Sequence, residues 1–88
     1  MPLSDEAKTY LVECFWPGVT EGQTETAARR ARKAAQLADV EFLGSILVLG
    51  DETVFCLFEG DEASVVAVAA EAGIRFERVL ESVRIDGT

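Results

Sequence analysis

The chain has 88 residues, 49% of them hydrophobic and 27% charged, with sixteen acidic against eight basic side chains and a net charge of −8. That length holds one domain, and a chain this short buries only about 60% of its unfolded surface, so a second subunit would add stability. The acidity argues against nucleic acid and against anionic membranes as partners, since both demand a concentrated positive surface. No histidine is present, which removes the commonest general base and the commonest metal ligand. The N-terminus has neither a basic nor an apolar leader region, and no apolar run approaches membrane-spanning length. Two cysteines without secretory context read as reduced thiols, and the expected location is the cytoplasm.

Along the chain, Lys8 to Trp16 is rich in β-branched and aromatic residues and stops at Pro17-Gly18, which predicts a strand and a turn. Thr20 and Gln23 have capping-box spacing for a first helix, although Gly22 weakens its first turn and leaves a start after Thr24 open. Ala27, Ala31, Ala34, Ala35 and Ala38 form its narrow apolar stripe. Arg29, Arg30, Arg32 and Lys33 fill much of the remainder, a cluster read as a solvated face rather than an anion site. Val40 to Leu49 predicts a second strand, Gly50-Asp51-Glu52 a turn, and Thr53 to Phe58 a third strand in hairpin with the second. Asp61 and Gly73 suit the N-cap and C-cap of a second helix. Val65, Val68, Ala69 and Ala72 make its inward stripe, and Val66, Ala67 and Ala70 an apolar outer side. Val79 to Ile85 predicts the last strand. The whole chain reads as one domain, with residues 1–7 expected to be flexible and 86–88 a tail.

The order βαββαβ predicts an α+β, ferredoxin-like fold, with an antiparallel sheet ordered 4-1-3-2 and both helices on one face. Alternation along the strands then sorts the side chains. Tyr10, Val12, Cys14 and Trp16, with Phe42, Gly44, Ile46 and Val48, with Val54, Cys56 and Phe58, and with Val79, Val83 and Ile85, are expected to meet the helices. Cys14 and Cys56 would lie there as small buried hydrophobes. The opposite set is Leu11, Glu13 and Phe15; Leu43, Ser45, Leu47 and Leu49; Thr53, Phe55, Leu57 and Glu59; Leu80, Ser82 and Arg84. It is too apolar for a sheet face left in water.

The simplest cover is a second copy packed face to face, giving a homodimer of the dimeric α/β-barrel type. Leu11, Glu13, Phe15, Ser45, Leu47, Phe55, Leu57, Ser82 and Arg84 are the residues expected to line an enclosure for an apolar small molecule. The plainer alternative is a solid interface in which Glu13 and Arg84 pair. A catalytic reading gives Glu13 the role of general base, with Arg84 or Ser45 polarising a substrate carbonyl. The expectation leans toward a protein that is not an enzyme, with no cofactor and no metal.

The segments "YLVE", "PGVTEGQ", "FLGSILV" and "VFCLFEGDEASV", with the closing "AG" of the second helix, resemble a family of small bacterial ferredoxin-like proteins. Its best-described members are streptomycete nickel-binding proteins, and many others have no assigned function. The resemblance spans about Tyr10 to Ile85 and implies a dimerising ferredoxin-like protomer. The family pattern often has a histidine at the position held here by Val68, so nickel binding in this chain would have to use Cys14, Cys56 and carboxylates. The resemblance also places a glutamate and a serine at Glu13 and Ser45.

Overall fold

The computed structural model describes residues 8–85. The expectations for residues 1–7 and 86–88 lie outside the described residues. In chain order the elements are strand β1 (Lys8–Phe15), helix α1 (Glu21–Gln36), strand β2 (Glu41–Val48), a 3-10 turn (Leu49–Asp51), strand β3 (Thr53–Gly60), helix α2 (Glu62–Glu71) and strand β4 (Arg78–Ser82). The sheet order β2-β3-β1-β4 is the predicted 4-1-3-2 seen from the other edge, and every neighbouring pair is antiparallel. This is the ferredoxin-like fold.

Local chemistry sets the boundaries. Thr20 accepts a hydrogen bond from the Gln23 N–H (3.1 Å), and the Gln23 side chain accepts one from the Thr20 N–H (2.9 Å). The capping box therefore fixes the start of α1 ahead of Gly22. The Asp61 carboxylate caps α2 by accepting from the Ser64 N–H (3.0 Å) and hydroxyl (2.7 Å). That helix ends where Gly73, at φ +78°, takes the left-handed conformation that an L side chain resists. The Gly73 and Ile74 N–H groups donate back to the Ala70 and Ala69 carbonyls, 3.0 Å each. Between β2 and β3 the turn closes through Glu52, whose carbonyl accepts from Trp16 N–H and whose carboxylate accepts from Gly18 N–H.

The core lies between the helices and one face of the sheet. Tyr10, Val12, Val54, Cys56 and Phe58 supply the sheet side; Ala31, Ala34 and Ala35 of α1, Val65, Val68 and Ala69 of α2 and its C-cap Ala72 supply the other. An alanine stripe lets α1 approach the sheet closely, and Arg32 stands 5.9 Å above the Phe42 ring, which tilts against Phe58. The outer side of α2, with Val66, Ala67 and Ala70, is exposed.

The strand faces depart from expectation in two places. In β2 the pairing runs Phe42↔Phe58 and then Gly44↔Leu57, so Leu43 is an extra residue and the ladder bulges. Gly44, at φ +141°, makes this possible. One inserted residue flips everything after it. Ser45 pairs with Cys56 and Leu47 with Val54, on the helix side, whereas Gly44, Ile46 and Val48 turn to the open side. At the C-terminus β4 starts one residue earlier and ends at Ser82 rather than Ile85. Val83 and Ile85, expected under the helices, are exposed.

Candidate functional site

The uncovered face of the sheet is assembled from four strands. Leu11 lies opposite Leu57 on β3 and Leu80 on β4; Glu13 lies opposite Phe55 and Arg78; Phe15 lies opposite Thr53; Ile46 lies opposite Phe55. Direct partners in an antiparallel ladder project to the same side. Leu11, Phe15, Ile46, Val48, Phe55, Leu57 and Leu80 therefore form one apolar surface. Phe15 is 52% exposed and Ile46 61%, the values of large side chains with nothing laid over them.

Glu13 sits within this surface, its side chain only 23% exposed, and Arg78 Nε donates to Glu13 Oε1 at 2.7 Å. The charge of Glu13 raises the affinity of the Arg78 guanidinium for its proton, first through this hydrogen bond and then through the field of the carboxylate. The partner is thus Arg78 and not Arg84, which follows β4 and is exposed. Glu77 tightens the same corner. Its N–H donates to the Glu13 carbonyl (2.8 Å), and its carboxylate accepts from the Phe15 N–H (2.7 Å) that β4 is too short to reach.

Of the residues predicted to line a site, Leu11, Glu13, Phe15, Phe55, Leu57 and Ser82 do share the open face. The Ser82 hydroxyl donates to the Leu80 carbonyl at 2.9 Å. Ser45, Leu47 and Arg84 do not share it. Ser45 Oγ lies 3.3 Å from Cys56 Sγ beneath the helices, and Leu47 packs against the core. The bulge moved the first two, and the early end of β4 removed the third. Ile46, Val48 and Arg78 are open-face side chains that sequence reasoning missed. Each had a signal: a glycine inside β2 marks a bulge, and Arg78 shares the alternation of Leu80 and Ser82.

Cys14 and Cys56 are free and buried. Burial pushes both thiols up, with the Glu77 charge and the neighbouring Cys56 adding to the effect at Cys14. Arg75 works the other way at Cys14, and the Ser45 contact does so at Cys56. The two cysteines are not directly opposed, since Cys14 pairs with Val54 and Cys56 with Val12.

A ferredoxin-like α+β protein with one bare apolar sheet face is the class that this architecture defines. A family model described as "Nickel responsive protein SCO4226-like" matches residues 10–81, and the chain belongs to that family. Among solved structures it is similar to SCO4226 from Streptomyces coelicolor A3(2), at 21% identity and a TM-score of 0.76, over 89% of this chain and 99% of that one. No curated protein matches the chain.

Nickel fits the side chains present poorly. Among the described residues, no three His, Cys, Asp or Glu side chains stand together as a metal site. The two thiols, the softest donors available, face the apolar core, where the thiolate that a metal needs is disfavoured. No helix among the described residues is long and apolar enough to cross a membrane.

Proposed function

We propose that the chain acts as a non-catalytic homodimeric binding protein, two copies packing open sheet face to open sheet face and enclosing an apolar small molecule. The observation that carries this reading is the continuous apolar surface from Phe15 through Leu57 to Leu80, with Ile46 and Phe15 left most exposed. A patch of this kind marks an interface or a ligand groove. The Glu13–Arg78 ion pair supplies a neutralised polar spot within it, which an apolar enclosure tolerates better than a lone carboxylate. The free thiols suit a reducing compartment such as the cytosol.

The same pair weighs against a cyclase or cofactor-independent monooxygenase acting on a polyketide-like substrate. One oxygen of the proposed base, Glu13 Oε1, is already held by a hydrogen bond from Arg78 Nε. Ser45 and Arg84, the expected carbonyl-polarising groups, stand away from it.

The family description makes nickel binding a second reading, and the donor set places it below the first. Native mass spectrometry separates all of these. The expected spectrum is a dimer carrying an organic mass, with no nickel retained when the metal is added. Ile46→Glu, which puts a charge on a side chain already exposed in the protomer, is expected to yield a folded monomer. A dimer without any bound molecule reduces the function to association. A wild-type monomer removes the proposal, and stoichiometric retained nickel restores the second reading.

A further inference from the structure

Between the C-terminal end of β1, helix α1 and the loop that follows α2 lies a partly open cavity of about 250 Å³. It is larger than the ~150 Å³ apolar cavity that takes up benzene and just below the ~300–1,000 Å³ of drug-sized sites. Ala27, Val54 and Ile74 form apolar wall, and Trp16 stands beside them. Cys14 and Cys56 add two thiols that burial keeps protonated, so that wall is uncharged as well. Two further lining residues, Arg30 of α1 and Arg75 of the α2–β4 loop, are exposed and bring positive charge to the cavity.

Among the described residues, neither arginine forms an ion pair. The ion pairs among the described residues are Lys8–Glu81 and Glu13–Arg78. The carboxylate whose charge acts on Cys14, that of Glu77, has one oxygen occupied by the Phe15 N–H. In a chain of net charge −8, two arginines lining one small cavity, neither of them in an ion pair among the described residues, are a local reversal of sign. Guanidinium groups recognise carboxylates through paired, charge-assisted hydrogen bonds. The apolar wall selects the rest of the ligand by area removed from water.

We propose that this cavity is a second, separate binding site, for a compact apolar carboxylate of about one aromatic ring. Its body lies against Ala27, Val54 and Ile74, and its carboxylate on Arg30 and Arg75. The cavity's lining differs from that of the open sheet face and shares only Phe15 with it.

Trp16 is the only tryptophan in the chain, so its emission reports on this cavity directly. The test is a titration of the wild-type protein with phenylacetate and with its neutral isostere phenylacetamide. Phenylacetate is expected to change the Trp16 emission saturably and to bind about tenfold or more tightly than the amide, as charge-assisted bonds require. The double substitution Arg30→Gln with Arg75→Gln, at two exposed positions, is expected to leave the thermal melt unchanged and to abolish that preference. Amide resonances of Ala27, Gly73 and Ile74 are expected to shift on titration. Equal affinity for acid and amide, no saturable response, or a preference that survives the double substitution would overturn the proposal. Shifts confined to Leu11, Phe55 and Leu57 would also overturn it, and would place the ligand in the sheet-face enclosure instead.

Discussion

Gly44 decides which side of the sheet Ser45 and Leu47 occupy. Its φ of +141° lies where side chains are rarely found, although a Cβ there would meet no atom within 4 Å. The obstacle to substitution is therefore conformational and not steric. Gly44→Ala is expected to cost about 1–3 kcal/mol, read from urea unfolding, either by straining the bulge or by forcing β2 out of register. An unchanged midpoint would show that the bulge tolerates a side chain. The residue that flips the strand was visible in the sequence, yet strict alternation was carried through it, and so two of the expected site residues fell on the wrong face. Glu13 was legible because β1 and β3 pair without interruption from Lys8↔Gly60 to Phe15↔Thr53. Its partner was not, because the choice between Arg78 and Arg84 rests on where β4 begins, and nothing local marks that point as a cap marks a helix.

Helix boundaries were more readable than strand ends, since capping side chains announce them. Thr20 with Gln23, Asp61 with Ser64, and Gly73 all take the places that their chemistry requires. The edge strands lack such markers. Both β2 and β4 are shorter than their apolar runs, leaving Leu49, Val83 and Ile85 outside the ladder and exposed. The Asp61 cap also ties α2 to pH. The Ser64 hydroxyl and N–H hold the Asp61 carboxyl below its usual range. The folded state therefore binds that proton less readily than the unfolded chain does. The stabilisation is fully present above the unfolded value of ~3.9 and is lost as pH falls through the lower folded one. Asparagine also caps helices but does not titrate there. Thermal melts at pH 5 and pH 3 are expected to show a smaller loss of stability for Asp61→Asn than for the wild type. Identical losses would mean that the cap contributes nothing to the acid response.

At the scale of the molecule, two faces of one sheet meet different fates. One is covered by α1 and α2, whose small residues let them lie close. The other presents Leu11, Phe15, Ile46, Phe55, Leu57 and Leu80, and no element among the described residues covers them. This imbalance was legible in outline from composition along the strands. Its membership was not, because the bulge exchanged Leu47 for Ile46. The family and the fold join this chain to SCO4226-like proteins, and the proposed function rests on burial of this apolar surface. The most direct measurement is an isotope-filtered NOE experiment on a mixture of labelled and unlabelled protein, which sees contacts between copies only. The account predicts intermolecular contacts among Ile46, Phe55, Leu57 and Leu80. Contacts confined to the helices, or none at all in a sample at millimolar concentration, would contradict it.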